Sequence, residues 1–208
     1  MTVSKWKIAW IAVFVGVLIW SGTIPHDYPT WFLEVIPAII GAAVLWYTRD
    51  SFPLTTMTYI LILIHCIILM VGGHYTYAEV PVGDWIRDAF GHMRNNYDKF
   101  GHLAQGFIPA IIAREVVVRL NVFNFSGWRN FFIACFCLAV AAFYELIEWW
   151  TAVISGESAD AFLSLQGYVW DTQADMWTAL VGAIIALALL GGWHDRQMRE
   201  AGFIPVGT

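Results

Sequence analysis

The segment FFIACFCLAVAAFYELIEWW, residues 131–150, has the length and apolar character of a membrane span. It is long enough for a helix that crosses a hydrocarbon core of about 30 Å. Near its end it carries Glu145 and Glu148, which are three residues apart and therefore share a helix face. Because a carboxylate that faces lipid is costly, the two acids either lie in water at the membrane surface or face inward and bind something.

The whole chain has the composition of a multi-pass membrane protein. Of its 208 residues, 59% are apolar and only 13% are charged, whereas soluble domains are about half apolar and a quarter charged. The chain is therefore predicted to form one integral-membrane domain over residues 1–208. Its net charge of −5 and the absence of a basic cluster give no indication of a nucleic-acid partner.

Six apolar segments each approach the roughly 20 residues that a membrane-spanning helix needs. They cover residues 7–22, 31–48, 54–73, 100–118, 130–151 and 174–192. The predicted fold class is all-α, a transmembrane bundle of six helices. After Pro81, between the third and fourth spans, Ile86, Phe90, Met93 and Tyr97 recur at helical spacing. This pattern predicts a short amphipathic helix on the membrane surface, with a plain solvated connection as the alternative.

Basic residues predict the orientation of the spans. One set of flanks holds eight of them, whereas the other set holds only three, all between the third and fourth spans. The eight are Lys5, Lys7, Arg49, Arg114, Arg119, Arg129, Arg196 and Arg199. Since cytoplasmic loops are enriched in Lys and Arg, both termini are predicted to lie in the cytoplasm.

Polar side chains gather at the predicted outer ends of four spans. They are His74 on the third, Asp98 and His102 on the fourth, Glu145 and Glu148 on the fifth, and Asp171 and Asp175 on the sixth. Each pair has the three- or four-residue spacing of one helix face. So many carboxylates in one bundle mouth would repel each other, and a divalent cation would offset that repulsion. Oxygen ligands with one or two imidazoles suit Zn, Mn, Mg or Fe.

Each of these residues also has a simpler interpretation when it is taken alone. A single acid at the end of a span is usually a solvated interface residue, and Asp98 or Asp171 would also serve as a helix N-cap. Two further histidines, His92 and His194, are predicted to lie on the surface. Only the joint pattern favours a functional pocket.

Four stretches of the chain resemble the YjdF family of bacterial inner-membrane proteins. They are GGHYTYAEVP (72–81), RNNYDKFGHLAQGF (94–107), YELIEW (144–149) and QGYVWDTQADM (166–176). The resemblance covers nearly the whole chain, and it implies a multi-pass protein of the bacterial inner membrane rather than a particular activity.

A more distant similarity is to VanZ-like proteins, which are linked to glycopeptide resistance. Their Asp-Lys-x-x-His pattern matches Asp98, Lys99 and His102 here, and their later acids match Glu145 and Asp175. Glu148 departs from that pattern, because VanZ-like proteins more often carry Gln there. The departure adds a possible metal ligand.

Three functions are compatible with these patterns. The first is an outward-facing metal site that hydrolyses or transfers a phosphate ester of a lipid-linked or envelope substrate, with catalytic roles for Asp98, Glu145 and Glu148. The second is a transporter or a proton or cation relay. The third is a non-catalytic scaffold. Membrane lipid is the partner that the composition implies, and enzymatic activity and oligomeric state stay open.

Overall fold

The computed structural model describes residues 5–155 and 166–204, and the regular secondary structure of this part of the chain is entirely helical. It contains seven α-helices and one short 3₁₀ turn at Tyr77–Glu79. In chain order the helices are α1 Lys5–Ser21, α2 Tyr28–Thr48, α3 Thr56–Tyr75, α4 Pro81–Phe90, α5 Tyr97–Arg119, α6 Ser126–Ser155 and α7 Asp171–Glu200. The predicted all-α fold class is confirmed.

Local sequence signals explain where several helices begin and end. The Asp27 carboxylate accepts the Thr30 amide at 2.8 Å and so caps α2. Helix α4 begins at Pro81 and ends before Gly91. Gly91 has φ +68°, the left-handed conformation that commonly ends a helix.

Six of the helices lie close to the six predicted segments, but α6 and α7 extend further. Hydropathy marks only the apolar part of a helix, whereas backbone hydrogen bonding continues into its polar flanks.

Two details of the prediction were wrong. The helix after Pro81 ends at Phe90, so Met93 and Tyr97 are not on it. Asn96 and Trp170, rather than Asp98 and Asp171, occupy the N-cap positions of α5 and α7.

Four of the described helices are long and apolar enough to cross a membrane, namely α2, α3, α7 and residues Ser126–Ile154 of α6. Helix α1 has only 17 residues, and α5 carries charged side chains in both its first and its last turn. The length and apolar character of the four helices identify a membrane protein that crosses the bilayer more than once.

Helix α5 lies at the centre of the bundle, where it packs against α3, α6 and most closely against α7. Glycines allow the α5–α7 approach. A Cβ atom at Gly106 would overlap the Ala179 carbonyl, and one at Gly182 would overlap the Leu103 carbonyl. Small residues at such crossings are typical of membrane helices, because they let two backbones approach closely.

Alternating helix directions give the bundle two polar ends. The acidic end contains Asp98, Glu145 and Asp175, and the Glu115 end contains the last turns of α5 and α7. Helix α1 begins at the Glu115 end, where the Trp6 ring lies 5.6 Å from Tyr59 in the first turn of α3. Helix α7 ends there as well.

Candidate functional site

The acidic end brings together side chains from three helices. Helix α5 supplies Asp98 and His102, α6 supplies Glu145, and α7 supplies Asp175; each is at most 7% exposed. These side chains lie on the helix faces that pack against each other, and the close α5–α7 crossing brings two of the helices together. The predicted convergence of acids and histidine is therefore present in the fold.

The distances within this pocket suit the binding of a cation. His102 Nε2 lies 3.6 Å from Asp98 Oδ1 and 3.6 Å from Glu145 Oε1. Ligand atoms of Asp98, His102 and Asp175 all lie within 4.8 Å of one another. Ligand atoms of His102, Glu145 and Glu148 form a second group of the same size.

Several polar atoms of the pocket are buried without a hydrogen-bond partner. They are His102 Nδ1, Gln105 Oε1, Glu145 Oε1 and Asp175 Oδ1. Such atoms are uncommon in folded proteins, and each one costs roughly 1–3 kcal/mol when it is left unsatisfied. The carboxylate oxygens among them are the ligand type that hard divalent cations prefer, so the donor set fits a cation.

Asp171 has a different partner from the other acids. Arg94 forms a bidentate ion pair with the Asp171 carboxylate, with Nη1–Oδ1 at 2.5 Å and Nη2–Oδ2 at 3.3 Å. The same guanidinium lies 3.7 Å from Asp98. Arg94 thus links the start of α5 to the start of α7, and Asp171 belongs to neither cation-sized group.

His74 also lies outside both groups. Its Nδ1 is 3.0 Å from the Ser21 carbonyl oxygen, and its ring packs against Trp20 and Tyr75 with centroids 4.5 Å and 4.6 Å apart. The ligand role predicted for His74 stays a prediction, and these contacts join α3 to the end of α1.

A small cavity adjoins the pocket on the side of α2 and α3. Its volume is about 20 Å³, and its lining residues are Glu34, Leu69, Tyr77, Asp98, Gly101, His102, Gln105, Tyr144 and Glu148. Glu34 on α2 is 3% exposed, and its Oε2 accepts a hydrogen bond from the Tyr144 hydroxyl at 2.7 Å.

Glu34 was not among the predicted site residues, although the sequence carries a signal for it. It is the one acid inside the predicted span 31–48, where a charged side chain is costly unless it faces the bundle interior. Glu34 lies three residues from the start of this span, as Glu148 lies three residues from the end of the span 130–151. Unlike Glu148, however, it has no second acid or histidine three or four residues away on the same helix face, and the prediction relied on such pairs.

Comparisons with known proteins agree with this architecture. Residues 6–196 match a family described as "Predicted membrane protein (DUF2238)". The chain is also 48% identical over 188 residues to "Inner membrane protein YjdF" of Escherichia coli (strain K12), with 90% of each chain covered. The chain belongs to the DUF2238 family of membrane proteins.

The YjdF resemblance is therefore confirmed, whereas the more distant VanZ-like resemblance has no support from either comparison. No solved structure matches the chain. For this DUF2238 protein, the family description and the name of its relative give a membrane location, and the geometry of the site is the basis for any function.

A second polar cluster lies at the Glu115 end of this DUF2238 protein. Glu115 is fully buried and accepts hydrogen bonds from Thr55 (amide and hydroxyl), Thr58, Arg119 and His194 at 2.6–3.2 Å.

The surface position predicted for His194 was wrong, because this histidine is fully buried between Glu115 and Arg114. Its sequence neighbours are polar, but it lies on the inner face of α7. The surface position predicted for His92 is confirmed, because this residue is exposed.

Proposed function

We propose that this protein binds a divalent cation in the pocket at its acidic end and there hydrolyses or transfers a phosphate ester of a lipid-linked or envelope substrate. The observation that carries the proposal is the buried group of Asp98, His102 and Asp175, whose ligand atoms lie within 4.8 Å of one another. Asp175 Oδ1 in this group and the adjacent Glu145 Oε1 have no hydrogen-bond partner.

The ligand chemistry supports a cation rather than a purely structural cluster. Carboxylate oxygens with one imidazole nitrogen suit Zn, Mn, Mg or Fe. A bound cation would neutralise neighbouring carboxylates and give the unpartnered oxygens a ligand role. When bound, it would polarise a phosphoryl oxygen and favour the ionised form of a bound water.

The proposed setting is a bacterial inner membrane that the chain crosses six times, with both termini in the cytoplasm. The four membrane-length helices are then joined by α1 and α5, whose polar residues lie near the bundle ends. Helix α4 is proposed to lie on the outer membrane surface, because Trp85, Ile86 and Phe90 are exposed on it. Reporter fusions at the C-terminus and after residue 91 test this topology, with cytoplasmic and outer activity expected respectively.

Metal analysis of the purified full-length protein tests the cation site. We expect co-purified metal and calorimetric binding of Mn²⁺ with a stoichiometry near one. Asp98→Asn and Asp175→Asn should each weaken Mn²⁺ binding by at least about tenfold, since each removes a charged ligand. Glu79→Gln is the matched control, because Glu79 is an exposed acid near the same end. A folded wild-type protein that binds none of Mn²⁺, Zn²⁺ and Mg²⁺ would contradict the proposal.

A further inference from the structure

The cavity beside the acidic pocket has room for a water molecule. Its volume is about 20 Å³, slightly above the roughly 10–15 Å³ that a single water needs. The cavity shares Asp98, His102 and Glu148 with the two cation-sized groups, so its occupant would lie next to a bound cation.

The residues that line the cavity include several with polar side chains, among them Glu34, His102 and Gln105. His102 directs Nε2 towards the carboxylates of Asp98 and Glu145, and its other nitrogen, Nδ1, is buried without a partner. Gln105, one helical turn further along α5, also has a buried oxygen without a partner. A buried water typically makes about three hydrogen bonds to groups of this kind.

Glu34 differs from the four acids that could act as cation ligands in this region. Among the described residues, the groups that could hold an ion include Asp98, Asp175, Glu145 and Glu148, but they do not include Glu34. Glu34 lines the cavity instead, where the Tyr144 hydroxyl holds its Oε2. A carboxylate that is not a ligand keeps its basicity and can accept a proton.

We propose that the cavity holds one water molecule and that Glu34, oriented by Tyr144, accepts the proton of this water as it attacks a phosphate ester in the acidic pocket. The inference rests on the proposed function and assigns the general base within it. Glu34 is then a catalytic residue, and Tyr144 is a positioning residue.

The step balances without a further reactant. One O–H bond of the water breaks, and its proton passes to the Glu34 carboxylate. The water oxygen forms a bond to phosphorus while the bond from phosphorus to the leaving oxygen breaks. The leaving oxygen takes up either the proton held by Glu34 or a proton from bulk water; in the second case Glu34 releases its own proton to bulk water, and both routes restore the carboxylate.

Oxygen exchange between water and inorganic phosphate tests the inference without a known substrate. The Mn²⁺-loaded full-length protein is incubated with ¹⁸O-labelled inorganic phosphate, and mass spectrometry follows the loss of label. We expect Glu34→Gln to lower the exchange rate by about 10²–10⁴-fold, the usual contribution of a general base, with Mn²⁺ affinity within threefold of wild type. Glu79→Gln, the exposed control, should leave both quantities unchanged.

Each alternative result has a distinct meaning. Wild-type protein without Mn²⁺ binding overturns the proposed function and the inference with it. Mn²⁺ binding without oxygen exchange, or with equal exchange in Glu34→Gln, overturns the inference alone. Loss of Mn²⁺ binding in Glu34→Gln makes Glu34 a ligand and also overturns it. If Glu34→Gln does not fold, Tyr144→Phe decides: we expect about tenfold slower exchange at unchanged Mn²⁺ affinity, and unchanged exchange overturns the inference.

Discussion

Two clusters of buried polar side chains lie at opposite ends of α5, and they differ in how their hydrogen bonds are satisfied. At the Glu115 end, one carboxylate receives five hydrogen bonds, and the His194 ring has polar neighbours on both nitrogens. At the acidic end, several carboxylates crowd around His102, and buried atoms of His102, Glu145 and Asp175 have no hydrogen-bond partner.

This difference supports a structural role for the cluster at the Glu115 end and the proposed binding role for the acidic end. A fully satisfied buried network stabilises one arrangement of helices and leaves no atom for a ligand. A partly satisfied group is costly unless something else completes it. The same residue types, Asp, Glu and His, therefore support different roles at the two ends of the bundle.

Apolar residues separate the two clusters. His102 and Glu115 are about 20 Å apart along the axis of α5, and between them Ala110 and Ile111 pack against Ala183 and Ala186 of α7. A relay of protons or cations would need polar groups through this layer. The packing of these four residues supports two independent sites over a continuous polar path.

We expect the largest effect when the cluster at the Glu115 end loses the charge of the Glu115 carboxylate. Glu115→Gln removes a buried charge that Arg119 and His194 contact, and such a change typically costs about 3–5 kcal/mol of unfolding free energy. Asp175→Asn, the matched change at the acidic end, should cost little or stabilise the protein, because it relieves repulsion between carboxylates. Denaturant unfolding in detergent micelles compares the two variants. If Glu115→Gln and Asp175→Asn lowered the unfolding free energy equally, the two ends would not differ in the way proposed.

Metal addition should stabilise the protein through the acidic end alone. Mn²⁺ at about 100 times its Kd should raise the unfolding free energy by about 2.7 kcal/mol, because it binds the folded state. Asp175→Asn should remove this gain, whereas Arg119→Gln at the Glu115 end should lower the starting stability and keep the gain. Thermal unfolding with and without Mn²⁺ measures both. A gain that survives Asp175→Asn would place the cation elsewhere.

Helices α5 and α7 cross between the two ends, and a substitution at the crossing tests whether their close approach holds the acidic end together. Gly106→Ala would place a methyl group against the Ala179 carbonyl, and overpacking of this kind costs about 1–3 kcal/mol. We also expect weaker Mn²⁺ binding, because Asp98 and Asp175 would move apart. Gly192→Ala on α7 is the control, since its Cβ meets nothing within 4 Å. Normal stability of Gly106→Ala would argue against the close crossing.

The smallest expected effect concerns the cavity beside the acidic pocket. Tyr144→Phe removes the hydrogen bond to Glu34 and should lower stability by about 1 kcal/mol. Tyr47→Phe provides the baseline, because Tyr47 is 85% exposed on α2 and should show almost no change. The same denaturant titration measures the unfolding free energy of both variants. An equal change in Tyr144→Phe and Tyr47→Phe would mean that the hydrogen bond from Tyr144 does not stabilise Glu34.

Much of the fold follows from local sequence. Apolar runs of about 20 residues predict membrane-length helices, and each of the six predicted segments corresponds to one of the helices α1, α2, α3, α5, α6 and α7. Three- and four-residue spacing placed each acid pair on one helix face, and this periodicity needs no tertiary information. The prediction failed where the sequence pattern was not decisive, as at the end of α4 and at His194.

Hydropathy and helical spacing were enough to predict a multi-pass helical membrane protein with Asp98, His102, Glu145 and Asp175 at one end of it. Which atoms meet depended on the packing of the helices. This packing paired Asp171 with Arg94, brought Glu34 to the cavity wall and enclosed His194 beside Glu115. The physical reason is that helix periodicity determines the face on which a residue lies, whereas contacts between helices depend on how their surfaces pack.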